Sequence, residues 1–217
     1  MSTQSSPVGG SGYERAKRAL DLAIAVPAAV VLSPLLAGLA AAVKLEGRGP
    51  VLFRQERIGR HGRPFEILKL RTLYDHRPED PADYLISSGD ARITRVGAFL
   101  RRWSLDELPQ LWNIVRGDMS VVGPRPTLRY QVEQYSHFQR RRLEVAPGVT
   151  GWAQVHGRNR LSWPKRIELD VWYVDHRSLR LDVEILLRTA PLLLRPGPVY
   201  GDAQGDWGER ANPSKPS

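Results

Sequence analysis

From Leu22 to Val43 the chain carries no charge, and this run, LAIAVPAAVVLSPLLAGLAAAV, constrains the fold more than any other stretch. As a straight helix it reaches about 33 Å, enough to cross the hydrocarbon of a bilayer. Three arrangements compete for it. A secretory signal peptide would use the basic start at Arg15, Lys17 and Arg18 and an A-x-A-like end near Ala40–Ala42. The run is, however, longer than the usual h-region of roughly 7–15 residues. A simple span is the default for this length. A re-entrant helix would enter and leave through one leaflet, and two features favour it. Ser33-Pro34 lies at the middle, where the proline removes a backbone donor and bends the helix, and where the Ser33 hydroxyl can serve a freed backbone group. Positive charge also flanks both sides, with Arg15, Lys17 and Arg18 before and Lys44, Arg48 and Arg54 after, so both ends prefer the cytoplasmic leaflet. Pattern alone leaves the span and the re-entrant helix both open.

Beyond this element the 217 residues suffice for one domain with a real core. A formal charge of +9 implies an anionic partner, whether nucleic acid, acidic lipid headgroup or diphosphate. With no cysteine, disulfides and thiolate metal sites are excluded. Residues 1–12 and 195–217 are rich in Ser, Gly and Pro and are expected to be flexible.

Within so basic a chain, Ser104-Leu105-Asp106-Glu107-Leu108-Pro109-Gln110 sets two carboxylates side by side at the start of a predicted helix. The structural reading is a capping box, with Ser104 as the cap and Glu107 bonding back to it. That reading leaves Asp106 free. On a helical wheel Leu105, Leu108, Leu111, Trp112 and Val115 form an apolar stripe, and Asp106, Gln110 and Asn113 share the opposite face. That polar face is either solvated or the wall of a site. Holding both carboxylates ionised in a partly dry place requires a metal ion or nearby arginines.

Candidates for the cations lie on both sides. Val51–Ile58 and Pro64–Leu73 read as two strands of a hairpin around Gly59–Arg63. On the second strand Lys69 and Arg71 share one face, as a phosphate site or a solvated edge. Residues 75–90 read as a loop, and 93–103 as a basic helix with Arg95, Arg101 and Arg102. Gly117–Pro126 reads as a fixed loop presenting Arg125. Thr127–Glu144 is expected to be an amphipathic helix whose Arg140-Arg141-Arg142 end faces solvent or headgroups. Pro147–Gln154 and Gly157-Arg158-Asn159 are glycine-containing loops able to approach a phosphate closely. Glu168–Val174 and Asp182–Leu194 are helical patterns, the second suited either to a membrane surface or to a core.

Taken in order, these stretches resemble the bacterial sugar transferases, the monotopic polyprenol-phosphate phosphoglycosyl transferases. The matching pieces are Lys17-Arg18-x-x-Asp21, Ser33-Pro34, Phe53-x-Gln55-x-Arg57-x-Gly59, Leu68-Lys69-Leu70-Arg71-Thr72, SLDELPQLWN (104–113), GDMSVVGPRP (117–126), PGVTGWAQVHGRN (147–159), ELDVWYV (168–174) and Asp182-x-x-Ile185. The resemblance covers roughly residues 15–190. It implies an α+β, mostly helical protein: a membrane-embedded re-entrant helix-break-helix over residues 13–46, broken at Ser33-Pro34, and a cytoplasmic globular catalytic domain over 47–194 with interfacial amphipathic helices. It implies location in the inner membrane with both termini cytoplasmic. The implied reaction transfers a sugar-1-phosphate from a UDP-sugar to undecaprenyl or another polyprenyl phosphate, releasing UMP, as the first membrane step of glycoconjugate synthesis. Asp106 would be the nucleophile that forms a covalent phosphosugar intermediate, with Glu107 its dyad partner and Mg2+ the cofactor. The implied metal residues are Asp106, Glu107 and Asp182, and the phosphate- or nucleotide-binding cations are Lys69, Arg101, Arg125 and Arg158. Membrane lipids are implied partners, nucleic acid is not, and a homodimer is compatible with the pattern.

The chain departs from the family pattern at Leu70 and Leu73, where Phe and Met are common, and at His156, where Asn is frequent. Ser162-Trp163 after Gly-Arg-Asn is similar to members that use N-acetylated amino sugars. The absence of a long multi-span N-terminal region leads to the expectation of a minimal catalytic form. The competing reading from composition is a non-enzymatic, membrane-anchored basic module for anionic lipid or nucleic acid, whose binding would fall steeply with salt.

Overall fold

The computed structural model describes residues 10–74, 90–157 and 161–193. Residues 1–9 of the expected flexible N-terminus, the loop from 75 to 89, Arg158 and Asn159 with their neighbour 160, and the whole tail from 194 lie outside the described residues. The described chain is mostly helical, with two small two-stranded sheets.

Helix α1, Ser11–Glu46, is a single 36-residue element that contains Pro27 and Pro34. It is long and apolar enough to cross a membrane by length and composition, and hardly any of its apolar window is buried against protein. The expected break at Ser33-Pro34 is not an interruption of the helix. Pro34 has no N–H for the Val30 carbonyl, and the Ser33 hydroxyl donates to that oxygen instead at 2.7 Å. Both ends of α1 grip the same body. Near the start, Arg18 donates to the carbonyls of Ile114 and Val115, and Asp21 accepts from the Ser120 hydroxyl and the Val121 N–H. Near the end, Arg71 donates to the carbonyls of Val43 and Gly47. Between these anchors Val30 and Val31 are 68% and 74% exposed.

Strands β1 (Leu52–Ile58) and β2 (Pro64–Leu70) form the expected antiparallel hairpin, in register from Leu52 opposite Leu70 to Ile58 opposite Pro64. The shared-face expectation for Lys69 and Arg71 gives way to two separate roles. Strand β2 ends at Leu70, and Arg71 is buried where it caps the carbonyls at the end of α1, a favourable place for a cation. Helix α2, Arg95–Arg102, starts at Thr94, whose hydroxyl accepts the Gly97 N–H, while Glu46 accepts the Val96 N–H.

Helix α3, Gln110–Arg116, closes on Gly117 in the left-handed conformation, φ 91°. Its Asn113 is fully buried and clasps β2, accepting from the Leu68 N–H at 3.1 Å and donating to the Glu66 carbonyl at 2.7 Å. The wheel's polar face is therefore a packed surface, and Trp112 of the apolar stripe is 57% exposed.

The Gly117–Pro126 and Pro147–Gln154 segments, expected to be loops, each contain a short strand, β3 (Ser120–Val122) and β4 (Gly148–Thr150), which pair in parallel. The expected long helix over 127–144 is instead α4 (Arg129–Glu133), α5 (His137–Arg140) and a 3-10 turn over Arg141–Glu144. A capping box, Ser136 with Gln139, restarts the helix and so divides it. Helices α6 (Trp152–Val155), α7 (Trp163–His176) and α8 (Leu179–Leu193) complete the order. Val122, Val145, Tyr173 and Ile185 form one core cluster, while α8 leaves Val183, Leu187 and Leu193 exposed. Two other clusters carry α1 into the body, one through Ala25 with Ile67 and Ile114, the other through Val43 with Leu70 and Leu100.

Gly97 sets how closely α2 approaches the end of the hairpin. A Cβ there would lie 2.2 Å from the Thr72 carbonyl oxygen, a backbone atom that also accepts the Thr94 N–H. Gly97→Ala is expected to destabilise the protein by about 1–3 kcal/mol through overpacking, read as a lowered midpoint of thermal unfolding in detergent.

Candidate active site: a carboxylate dyad ringed by cations

The dyad sits on a 3-10 turn, Leu105–Glu107, between α2 and α3. The expected capping box does not form. Ser104 takes the left-handed conformation, φ 55° and ψ 23°, with no side-chain cap bond. A non-glycine residue held there is strained, and such strain collects where a turn must aim functional side chains. The turn sends Glu107 away from the helix terminus and toward two cations.

Lys69 Nζ lies 2.8 Å and Arg125 Nη2 2.6 Å from the same Glu107 oxygen, Oε1. Lys69 comes from β2, opposite Phe53. Arg125 comes from the Gly123–Pro126 loop after β3. That loop is packed tightly on β4: a Cβ on Gly148 would lie 2.1 Å from the Gly123 nitrogen. Arg101, at the last turn of α2, donates through Nε to the Thr72 hydroxyl at 2.8 Å. Asp106 is 8% exposed and accepts no hydrogen bond among the described residues.

The two carboxyls titrate in opposite directions. Burial raises Asp106 above the ordinary aspartate range, and the Glu107 charge adds to this, while Lys69, Arg101 and Arg125 pull the other way. Glu107 is held far below its usual range: burial opposes this, but the charges and hydrogen bonds of Arg125 and Lys69 prevail. The site thus holds one carboxylate kept ionised by two cations and one that, among the described residues, has no hydrogen-bond or ion-pair partner. That donor set suits Mg2+, which binds through one or two carboxylates and completes its shell with water and substrate phosphate.

A second layer supports Arg125. Arg142, expected on the surface, is only 2% exposed. It donates to the Arg125 carbonyl at 2.9 Å and to the Tyr135 hydroxyl at 2.6 Å, and it pairs with the buried Asp170. Arg142 and Arg166 both lie over the Trp163 ring, at 5.7 and 5.4 Å. Burial, and then the Arg125 charge, brings Arg166 down to about 10. This crowding of like charge favours an anion beside Arg125.

Of the residues singled out from sequence, the structure brings together Asp106, Glu107, Lys69 and Arg125, with Arg101 close enough to act on Asp106 by charge. Asp182 does not join them as a third metal carboxylate. It is fully buried, 3.2 Å from Lys17 Nζ, and accepts from the Tyr13 and Tyr173 hydroxyls. No group of three or more His, Cys, Asp or Glu able to hold a metal occurs among the described residues. Arg158 falls outside them. Sequence reasoning missed Arg142 and Asp170. The signal was present: Asp170 lies in the apolar series Ile167, Val171, Val174 of α7, and an acid on a buried stripe demands a cation.

The sequence model described as bacterial sugar transferase matches residues 12–196. The uncharacterized sugar transferase EpsL of Bacillus subtilis is 46% identical over 178 residues, 82% of this chain and 87% of that one. A UDP-glucose:undecaprenyl-phosphate glucose-1-phosphate transferase of Caulobacter vibrioides is 45% identical over 193 residues, 85% of this chain and 72% of the relative. A UDP-N-acetylgalactosamine-undecaprenyl-phosphate N-acetylgalactosaminephosphotransferase of Aeromonas hydrophila is 40% identical over 188 residues, 84% of this chain but 44% of that longer protein. With the family match spanning nearly all of the described chain, this protein belongs to the bacterial sugar transferase family.

Proposed function

We propose that this protein transfers a sugar-1-phosphate from a UDP-sugar to a polyprenyl phosphate such as undecaprenyl phosphate, releasing UMP, through a phosphosugar carried on Asp106. The observation that carries this reading is the state of Asp106: buried, without a hydrogen-bond partner among the described residues, and surrounded by Lys69, Arg101 and Arg125 beside a neutralised Glu107. A carboxylate kept free of donors can attack phosphorus, as in enzymes that form aspartyl phosphates. In the first half-reaction an Asp106 oxygen bonds to the β-phosphorus and the bond from that phosphorus to the bridging oxygen breaks, so UMP leaves with the electron pair. In the second, an oxygen of the lipid phosphate attacks the same phosphorus and the aspartyl carboxylate is restored. Arg125 and Lys69, held in place by Glu107, present positive charge to the equatorial and leaving oxygens. Mg2+ bound at Asp106 and Glu107 would supply further neutralisation of the diphosphate.

The proposal includes a monotopic placement. Arg18 and Asp21 at one end of α1, and Val43 and Glu46 at the other, fasten to the same body. A helix crossing from leaflet to leaflet would carry one of these anchors to the far side. A re-entrant α1 keeps both ends cytoplasmic and holds the dyad near the lipid phosphates.

The test incubates membranes containing the protein with undecaprenyl phosphate and a panel of UDP-sugars, and measures UMP. The expected result is release with one donor or a few, dependent on the lipid and abolished by EDTA. No UMP from any donor would overturn the reading.

A further inference from the structure

We propose that Gln110 is a positioning residue for the transfer: its side-chain amide donates to the Asp106 oxygen that does not take the phosphosugar, and so helps that carboxylate leave when the lipid phosphate attacks. This role rests on the Asp106 intermediate proposed above. Gln110 is the first residue of α3 and is 2% exposed. Its amide nitrogen is buried and has no hydrogen-bond partner among the described residues. A buried donor without an acceptor lowers stability, so a side chain of this kind calls for an explanation. Packing does not supply one. Ile114, one turn further along α3, lies in an apolar cluster with Ile67 and Met119, and an apolar side chain of the same length would serve that neighbourhood better.

The backbone fixes where this amide lies. Leu108 and Pro109 are both in the right-handed helical region, and the Leu111 and Trp112 N–H groups donate to their carbonyls, so the dyad turn runs on into α3 without a break. Asp106 and Gln110 therefore stand about one turn apart, the spacing at which side chains on one helix face meet. The same stretch is tied to β2 on both sides of Gln110. Glu107, three residues before, pairs with Lys69, and Asn113, three residues after, bonds the backbone of Leu68 and Glu66. Asp106 is itself buried and accepts no hydrogen bond among the described residues. A donor lacking an acceptor and a carboxylate lacking a donor thus occupy neighbouring positions in the buried wall of the site.

The reaction gives this pair a use. Only one Asp106 oxygen bonds to phosphorus, and the other becomes the carbonyl of an acyl phosphate. In the second half-reaction the lipid phosphate oxygen bonds to phosphorus, the bond from phosphorus to Asp106 breaks, and the electron pair returns to the carboxylate. An N–H donated to the carbonyl oxygen meets negative charge that grows as this bond breaks, and the amide keeps its protons throughout. In the first half-reaction the contact has two opposed effects. It orients the carboxylate but lowers its basicity, so attack on the donor changes little.

The test is Gln110→Met, which keeps the length of the side chain and removes the donor, as full-length protein in detergent with undecaprenyl phosphate and a UDP-sugar that the wild type turns over. In a two-step transfer kcat/KM for each substrate reports its own half-reaction. The value for undecaprenyl phosphate is expected to fall by roughly tenfold while that for the UDP-sugar stays at the wild-type level. Radiolabelled phosphosugar should then accumulate on the protein during turnover. The thermal midpoint should equal or exceed that of the wild type, because a buried donor without an acceptor has been removed. Gln110→Glu, of the same shape but with an acceptor in place of the donor, is the second variant and should lose at least as much kcat/KM for the lipid. A wild-type value for the lipid in either folded variant would overturn the proposal. So would a lower midpoint in Gln110→Met with both kcat/KM values reduced in proportion, which is what a packing role produces. Wild-type protein that traps no label would instead remove the aspartyl intermediate itself, a failure distinct from that of Gln110.

Discussion

Asp106→Asn is expected to lower UMP release by about 10⁴-fold or more, because an amide nitrogen and its carbonyl cannot stand in for the attacking carboxylate. The variant keeps the shape of the side chain, and Asp106 has no hydrogen bond among the described residues to lose, so the fold should survive. Donor carrying a radiolabelled sugar phosphate separates the roles of the two acids. Label should be trapped on wild-type protein in the absence of lipid acceptor and be missing from Asp106→Asn. Glu107→Gln should still be labelled, more slowly by about 10²-fold, since Lys69 and Arg125 lose their shared charge partner. The pH dependence gives an independent check. The reactive form of Asp106 is ionised, and burial raises its titration, so the acid limb of kcat/KM lies above the range of an ordinary aspartate. Lys69 pulls that titration down, so Lys69→Met should move the limb to still higher pH. Label found on Asp106→Asn, or an acid limb that moves down in Lys69→Met, would remove Asp106 from its assigned role.

What the sequence disclosed about this site was local. Alternation in β2, two adjacent acids and the Gly-Pro loop around Arg125 were each readable, because each depends on neighbours a few residues away. Long-range partners were not. Ser104-x-x-Glu107 fits a capping box by spacing, yet Lys69 and Arg125, 38 and 18 residues away from Glu107, outcompete the helix terminus for that carboxylate. Lys69 and Arg71 look equivalent on one strand, but Leu70 ends the strand and the carbonyls closing α1 take Arg71. Asp182 matches an acidic position of the family, and its enclosure by Lys17, Tyr13 and Tyr173 has no local signal. The element boundaries that failed, in the 127–144 segment and in the loops holding β3 and β4, failed for the same reason. Parallel pairing of Ser120 with Gly148 has no local signature, and a Ser-x-x-Gln cap inside an amphipathic run is easily passed over.

Asp170→Ala is expected to be the most destabilising single change away from the dyad, costing about 3–5 kcal/mol. The side chains of Arg142 and Asp170 are each only 1% exposed, and a guanidinium left alone there cannot shed its proton. For a protein of this size that corresponds to a thermal midpoint lower by on the order of 10 °C. The reverse change, Arg142→Met, should cost less at low pH than at high pH. Burial already raises Asp170 above the ordinary aspartate range, so without its partner it can take up a proton and become neutral. As pH rises through that titration the uncompensated carboxylate returns and the penalty grows. The double variant Arg142→Met/Asp170→Leu removes both charges and should recover most of the midpoint, since an apolar replacement of a buried pair is often neutral or better. It should not recover activity in proportion. Arg142 also holds the Arg125 carbonyl, and through it the cation that meets Glu107, so a stable double variant that turns over slowly would locate the pair's contribution in placing Arg125. Full activity in that stable double variant would instead reduce Arg142 to a part of the core.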